Sequence, residues 1–494
     1  MMRALVVVLA AGTGLLLAPR DIVETILQDP ASFYYVDAAH YPVGDAGLPI
    51  GVFDSGTGGL TVLREIVDCD RYDNATGAPR PGGDGRPDFE REAFTYFADQ
   101  ANMPYGTYPA EGNTALLVEH VIKDVQFLLG TRYDLSDSGG TYRSDKRPVK
   151  AIVIACNTAT AYGIEEIRKF LARAKLPLKV IGVIEAGSAG ALDTLAKGDD
   201  ATVGVLATSG TVQSGAYPRV LQAMAAERGY RGTIAVVQQG GTSLAGAIDG
   251  APDFVDAAAR APRDSYRGPT PDPALLARYG FDWSGMLYEG TREAPRNVQI
   301  NSVANHVAYE ALSLVEQVRR TGVARPLGTV ILGCTHYPFV ADRFRAHFAR
   351  LYDYRENGEY VYRPYLAKDV TLVDPAVITA TQLYEFLAQN RLLASGPRAG
   401  SEFYISVPNR ANPAVQTDAQ GYLTYRYKYD RPAGSGEETV RAVPFSARTI
   451  PADTLGRLRT MVPSVFELIV RFNTASPKLT ALPPTDRIDG RGQR

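Results

Sequence analysis

The sequence predicts an α/β protein made of two similar parallel-sheet α/β lobes with a cleft between them, plus surface insertions and a β-hairpin insertion. Three observations predict it. From about residue 48, apolar runs of strand length alternate with amphipathic helical stretches, the pattern of strand–helix units around a parallel sheet. A second such series starts near residue 199, which reads as a second lobe and not as one very wide sheet. At 494 residues the chain is also longer than one core usually organises.

In order, "LPIGVFDS" reads as a strand and "GGLTVLREIV" as the helix after it. "AFTYFAD" is a second strand, followed by "NTALLVEHVIKDVQFLL", whose apolar residues recur at three- and four-residue spacing. "VKAIVIAC", "ATAYGIEEIRKFLARA" and "LKVIGVIE" continue strand, helix, strand. "ATVGVLAT" opens the second series, which "TIAVVQQ" continues and "PLGTVILGC" closes; "DVTLVDPA" and "VITATQLYEFLAQN" come last. The expected division is therefore a first lobe over 48–198, completed by about 366–398 and 450–473, and a second lobe over 199–365. The Gly-, Pro- and Asp-rich stretches 68–92, 134–148 and 250–298 read as insertions. "EFYISVPN" and "GYLTYRYKY" alternate with the β period, so 399–449 is expected to be a hairpin insertion with solvent on one side. The tail 474–494 reads as disordered.

Composition narrows the function. Lys plus Arg total 52 against 54 for Asp plus Glu, a net charge of −2, so no basic face points to nucleic acid. The three cysteines, at 69, 156 and 334, form neither a disulfide framework nor a zinc pattern; no metal is expected. Residues 1–47 form an N-terminal extension. It begins with a short basic start and an uncharged stretch from Ala4 to Ala18, signal-like or an anchor in layout but short for a span of roughly 20 apolar residues. Membrane contact is expected only through this segment. The opposing reading is an extended start whose apolar residues pack as a first strand.

Three strands end in chemically capable residues. In "GVFDSGTGG", Asp54 and Ser55 follow an apolar strand, and the glycines let backbone N–H groups approach a ligand; the lysine of a phosphate-binding loop is absent. In "AIVIACNTAT", Cys156 stands at the strand end while Asn157, Thr158 and Thr160 open the next helix, where they also serve as caps. In "VILGCTHYPFV", Cys334, Thr335 and His336 follow the same kind of strand. Either cysteine alone reads as a buried filler. Two of three in one local pattern, with Cys69 in a charged loop outside it, read as a functional pair. Ligands of open α/β sheets bind beyond the carboxyl ends of strands, near helix N-termini that favour anions and lower thiol pKa values. Two thiols on opposite sides of one substrate carbon would act as base and acid and exchange roles in the reverse direction, the geometry a racemase requires.

"FDSGTGGLTVLRE", "PYGTYP", "ACNTAT", "GVIEAG" and "GCTHYP", in this order, resemble glutamate racemase, of the aspartate/glutamate racemase superfamily, over about residues 48–395. The resemblance implies a two-domain fold whose chain returns to its first lobe, and interconversion of L- and D-glutamate for peptidoglycan. It implies no cofactor of any kind. Cys156 would take the α-proton of the D-enantiomer and Cys334 that of the L-enantiomer, with Asp54 and His336 as supporting acid/base groups. Asp54, Ser55, Tyr105, Gly106, Asn157, Thr158, Thr335 and His336 match substrate-binding positions. Thr208, Thr211 and Ser214 resemble a further ligand-facing run, Thr208 above all. The expected partner is the small amino-acid substrate; a homodimer is left open, and so is the choice between a cytoplasmic location and export.

The sequence also departs from the family. After "TIAVV" the family carries a segment leading to an active-site glutamate; here "QQGGTSLAGAIDG" follows, and Asp249 reads as a poor substitute. Ala186 stands in "GVIEAG" where proline is common. Three alternatives remain open: a racemase for aspartate or a related acid, a non-catalytic protein binding an acidic ligand, and a cysteine hydrolase pairing Cys334 with His336. The last needs the strand to have ended before these residues, since neighbours along a strand point to opposite faces.

Overall fold

The computed structural model describes residues 21–140, 142–396, 399–434 and 436–490. Its strands run as follows. In the first lobe lie β1 (Ile50–Asp54), β2 (Phe94–Ala98), β3 (Ala151–Ile154) and β4 (Lys179–Gly182). In the second lie β5 (Ala201–Thr208) and β6 (Ile234–Gly241), then the hairpin β7 (Met286–Gly290) and β8 (Pro295–Ile300), β9 (Leu327–Gly333), the small hairpin β10 (Arg355–Glu356) and β11 (Glu359–Tyr360), and β12 (Leu366–Val373). The last two are β13 (Glu402–Pro408) and β14 (Val440–Pro444). They form a six-stranded sheet in the order β14-β13-β2-β1-β3-β4 and a four-stranded sheet in the order β12-β9-β5-β6.

Both are parallel sheets of an α/β protein but for one antiparallel edge strand, β14. β1 pairs with β2 from Ile50↔Phe94 to Asp54↔Ala98 and with β3 from Ile50↔Ala151 to Phe53↔Ile154. Every residue of β1, β2 and β3 is buried, as helices on both faces of a parallel sheet demand. In the second sheet β5 pairs in parallel with both β6 and β9. The shared parallel sense brings the carboxyl ends of β1, β2 and β3, and separately of β5 and β9, to one edge of each sheet. The helix Pro375–Gln389, capped by Asp374 Oδ1 on the Ala376 N–H at 2.9 Å, leads the chain back; Ala376, Ala380, Leu383, Tyr384 and Leu387 join the first core.

The structure corrects several expectations. Leu366–Val373 pairs with β9 (Leu366↔Leu327, Val373↔Ile331), so this strand belongs to the second sheet, and the return to the first lobe begins at the helix that follows. The expected pairing of "EFYISVPN" with "GYLTYRYKY" inside 399–449 is not formed. β13 lies parallel to β2 (Glu402↔Thr95 to Ile405↔Ala98) and antiparallel to β14 (Tyr404↔Pro444 to Pro408↔Val440), with Glu402 to Ser406 buried. Tyr425–Tyr429 is a short helix capped by Thr424. A five-residue alternation fits either period, and the buried slot beside β2 selects one partner. Residues 474–490 are not disordered: Leu479 and Ile488 are buried in the first core, and Ala447 N–H donates to the Asp486 carbonyl at 2.8 Å.

Within the N-terminal extension, Ile22, Ile26, Phe33, Tyr34 and Val36 also pack into the first core, behind a helix Ile22–Gln28 capped by Asp21. The signal-like stretch itself, residues 1–20, lies outside the described residues. Among those described, no helix is long and apolar enough to cross a membrane.

Candidate active site

The cleft is built from strand ends of both sheets. β1 ends at Asp54, and the tight turn after it is closed by the Gly59 N–H, which donates to Asp54 Oδ2 at 2.7 Å. Gly58 is a glycine by necessity: a Cβ there would stand 2.9 Å from His336 Cε1, 3.2 Å from Thr335 Oγ1 and 3.5 Å from Asp54 Oδ2. This close approach brings the strand ends of the two lobes together, and Thr61 Oγ1 donates to the Thr335 carbonyl across the same seam at 3.1 Å.

Cys156, just beyond β3, caps the helix Asn157–Arg173 with its sulfur, which accepts the Ala159 N–H at 3.4 Å. Ser55 Oγ lies 3.8 Å from the same sulfur. Burial pushes this thiol upward, and the adjacent Asp54 carboxylate pushes in the same direction. Asp54 is itself raised by burial, against hydrogen bonds from the Gly59 N–H and from Cys156. Thiol and carboxyl thus form one buried, proton-holding pair.

Cys334 stands just past β9, which ends at Gly333. The strand has therefore ended before this motif, and the contact that strand geometry alone forbids is made: Cys334 Sγ lies 3.8 Å from His336 Nδ1. His336 Nε2 lies 3.1 Å from Asp249 Oδ2. Burial works against the imidazolium, yet the Asp249 hydrogen bond and the neighbouring Cys334 outweigh it and hold His336 well above its ordinary pKa. Asp249, read from the sequence as a poor substitute for an acidic partner, is thus placed against His336. The short helix Leu244–Ile248 after β6 ends at Asp249 and delivers the carboxylate to the histidine. The signal was its position: an acid just beyond the strand that neighbours β5.

Both sulfurs open into one cleft of about 1130 Å³, ample for a small-molecule ligand, and Asp54, Ser55, Tyr105, Gly106, Asn157, Thr158, Thr208, Thr211, Thr335 and His336 line it too. Ser214 does not; its hydroxyl donates to the Thr211 carbonyl at 2.5 Å and accepts the Ala216 N–H, which makes it a local turn former. Tyr105 reaches the cleft without offering its hydroxyl, which is 2.6 Å from both Asp99 Oδ2 and Asp124 Oδ2 in the buried interior. Asn157 Oδ1 accepts from Tyr217 OH at 2.9 Å, another tie between the lobes. Gly106 and Gly210 meet backbone to backbone: a Cβ on Gly210 would be 2.7 Å from Gly106 Cα. Sequence reasoning also missed Glu310, fully buried and pushed by burial to a pKa of about 7, which accepts from Gln239 Nε2 at 2.9 Å. Cys69 is buried in the first core, away from the cleft. Among the described residues no cluster of three His, Cys, Asp or Glu could hold a metal ion.

Two sheets thus present their carboxyl ends and two thiols to one cleft. Residues 139–265, a stretch that includes Cys156 and Asp249, match the family model described as Asp/Glu/Hydantoin racemase. At greater length the chain is similar to proteins named glutamate racemase. That of Stutzerimonas stutzeri is 28% identical over 364 residues, spanning 74% of this chain and 90% of the relative. That of Latilactobacillus sakei is 28% identical over 347 residues, spanning 70% and 81%. A solved glutamate racemase isoform from Bacillus anthracis is 22% identical, covering 74% of this chain and 88% of that one at a TM-score of 0.42.

Proposed function

We propose that this protein is a cofactor-independent glutamate racemase, interconverting the L- and D-enantiomers by proton transfer at the α-carbon and supplying D-glutamate for peptidoglycan. The observation that carries the reading is the pair of buried cysteines, one from each lobe, facing a common cleft with different proton-handling neighbours. Cys334 has beside it the imidazole of His336, which Asp249 anchors and holds well above its ordinary pKa. Cys156, with Asp54, keeps its proton. In that state Cys334 removes the α-proton of L-glutamate while Cys156 donates to the opposite face, and the reverse assignment serves D-glutamate.

The remaining residues supply binding. The helix Asn157–Arg173 begins at the cleft wall with Asn157 and Thr158, and a helix N-terminus suits the α-carboxylate. Ser55, Asn157, Thr158, Thr208 and Thr335 place hydroxyl and amide groups around the amino acid, and Tyr105–Gly106 contributes backbone to the wall. The α-carbon acidity is low, so binding must exclude water and hold the carbon between the sulfurs; the burial of both thiols supports this.

The test is incubation of L-glutamate with the protein in D2O, following optical rotation and α-proton loss by NMR, with L-aspartate in parallel. Racemisation of glutamate with deuterium wash-in is the expected result. Preference for aspartate would reassign the substrate. No α-exchange on either acid would overturn the racemase reading in favour of a binding protein.

A further inference from the structure

The cleft is larger than one amino acid requires. A glutamate displaces on the order of five waters' worth of volume, roughly 150 Å³, whereas the cleft holds about 1130 Å³. The excess has a structural origin. Because β13 lies parallel to β2, its carboxyl end opens on the same edge as Asp54 and Ala98, lengthening the edge at which such sheets bind ligands. Past that end, the cleft is walled by Arg410, by Arg448 after β14, and by Arg457 on the helix Ala452–Met461.

Charge in this outer chamber is unbalanced. Arg410 and Arg448 share a single carboxylate, Asp137, at 3.4 and 3.9 Å, and both guanidiniums remain about half exposed. Arg457 faces the chamber as well, while its partner Asp453 points to solvent at 3.0 Å and is not part of the wall. Three fork-shaped donors paired with two acids, of which only Asp137 lines the chamber, leave a net positive wall suited to carboxylate or phosphate oxygens.

We propose that the outer chamber is a second anion-binding site, taking a ligand with two or more carboxylate or phosphate groups next to the amino-acid site. The anion has two possible sources: a free polyanion, or an acidic tail carried by an amino acid larger than glutamate. The inference stands apart from the racemase reading, because binding is measured without turnover.

The experiment is titration calorimetry of the full chain with inorganic pyrophosphate, citrate and γ-L-glutamyl-L-glutamate, at low and high salt, on wild type, Arg410→Gln/Arg448→Gln and Arg457→Gln. Wild type should bind at least one probe, more weakly in salt. Each variant should lose about tenfold or more in affinity while KM for L-glutamate stays within about threefold, which also certifies that the variants fold. α-Deuterium exchange on the bound dipeptide would assign the chamber to a substrate tail; binding without exchange would assign it to a separate ligand. Absence of binding by all three probes at millimolar concentration, or equal affinity in wild type and variants, would overturn the proposal. Intact pyrophosphate binding with no glutamate racemisation would overturn the racemase reading alone.

Discussion

Asp249→Asn isolates the electrostatic part of the site. The carboxylate lies 3.1 Å from His336 Nε2. Two unit charges at that separation attract by about 5 kcal/mol at an effective dielectric of 20 and by about 1.3 kcal/mol in bulk water. The Asp249 side chain is 43% exposed and that of His336 16%, so solvent screening places the pair between these limits, near the lower one. A figure of about 1.5–3 kcal/mol corresponds to roughly a ten- to hundredfold loss of the imidazolium that faces Cys334. The sign sets the pH dependence. In wild type His336 is held above its ordinary pKa, so it stays charged through neutral pH; in the variant it falls back towards about 6.5 and loses its proton as pH rises past that value. The deficit in kcat/KM should therefore be small near pH 6 and complete by pH 8. It must be equal for the two enantiomers, because the equilibrium constant between mirror images is one. Polarimetric racemisation rates across pH 5.5–8.5 read it directly. A deficit of constant size at every pH, or none at all, would refute the argument that Asp249 acts through the charge on His336.

Cys156→Ser and Cys334→Ser should each abolish racemisation with little change in the thermal unfolding midpoint, while Cys69→Ser retains turnover; a coupled assay for D-glutamate and a melting curve separate the outcomes. His336→Asn should slow solvent deuterium wash-in at saturating substrate more from L-glutamate than from D-glutamate, if the histidine serves Cys334 alone. Gly210→Ala places a methyl group 2.7 Å from Gly106 Cα, a clash of backbone against backbone that cannot be relieved by a rotamer; KM should rise about tenfold with a smaller change in stability. Glu310 is fully buried with a pKa of about 7 against an ordinary 4.5. The fold thus favours its protonated form, and stability present at low pH is lost as pH rises through 7, by about 3 kcal/mol at most. Glu310→Gln should melt with wild type at pH 5 and a few degrees above it at pH 8 by calorimetry.

What the sequence made legible follows from physics that is local. The Val/Ile/Leu runs of β1, β3, β5 and β9 declare strands buried on both faces, and a cysteine just past such a run is placed where ligands bind whatever the rest of the chain does. Partner choice is not local. The residues of β12 and β13 read correctly as strands, but which sheet each joins is decided by the slots left beside β9 and β2. Tyr425–Tyr429 went astray because five residues of alternation do not separate a strand from one helical turn. The contact of Asp249 with His336 depends on where one short helix ends in space, and motif spacing carries no record of that. Tyr105 lines the cleft as expected, yet its hydroxyl is turned inward to Asp99 and Asp124, an orientation no sequence pattern reveals.

The unlike surroundings of Cys156 and Cys334 have a kinetic consequence. Each conversion of L- to D-glutamate by the proposed chemistry leaves the hydrogen on the wrong sulfur for a second event in the same direction. The empty protein must then relax, passing a proton through Asp54, His336 or bulk water, before it is ready again. At high substrate concentration that recovery becomes part of the cycle, and flux would bend away from simple saturation in a manner sensitive to buffer and to heavy water.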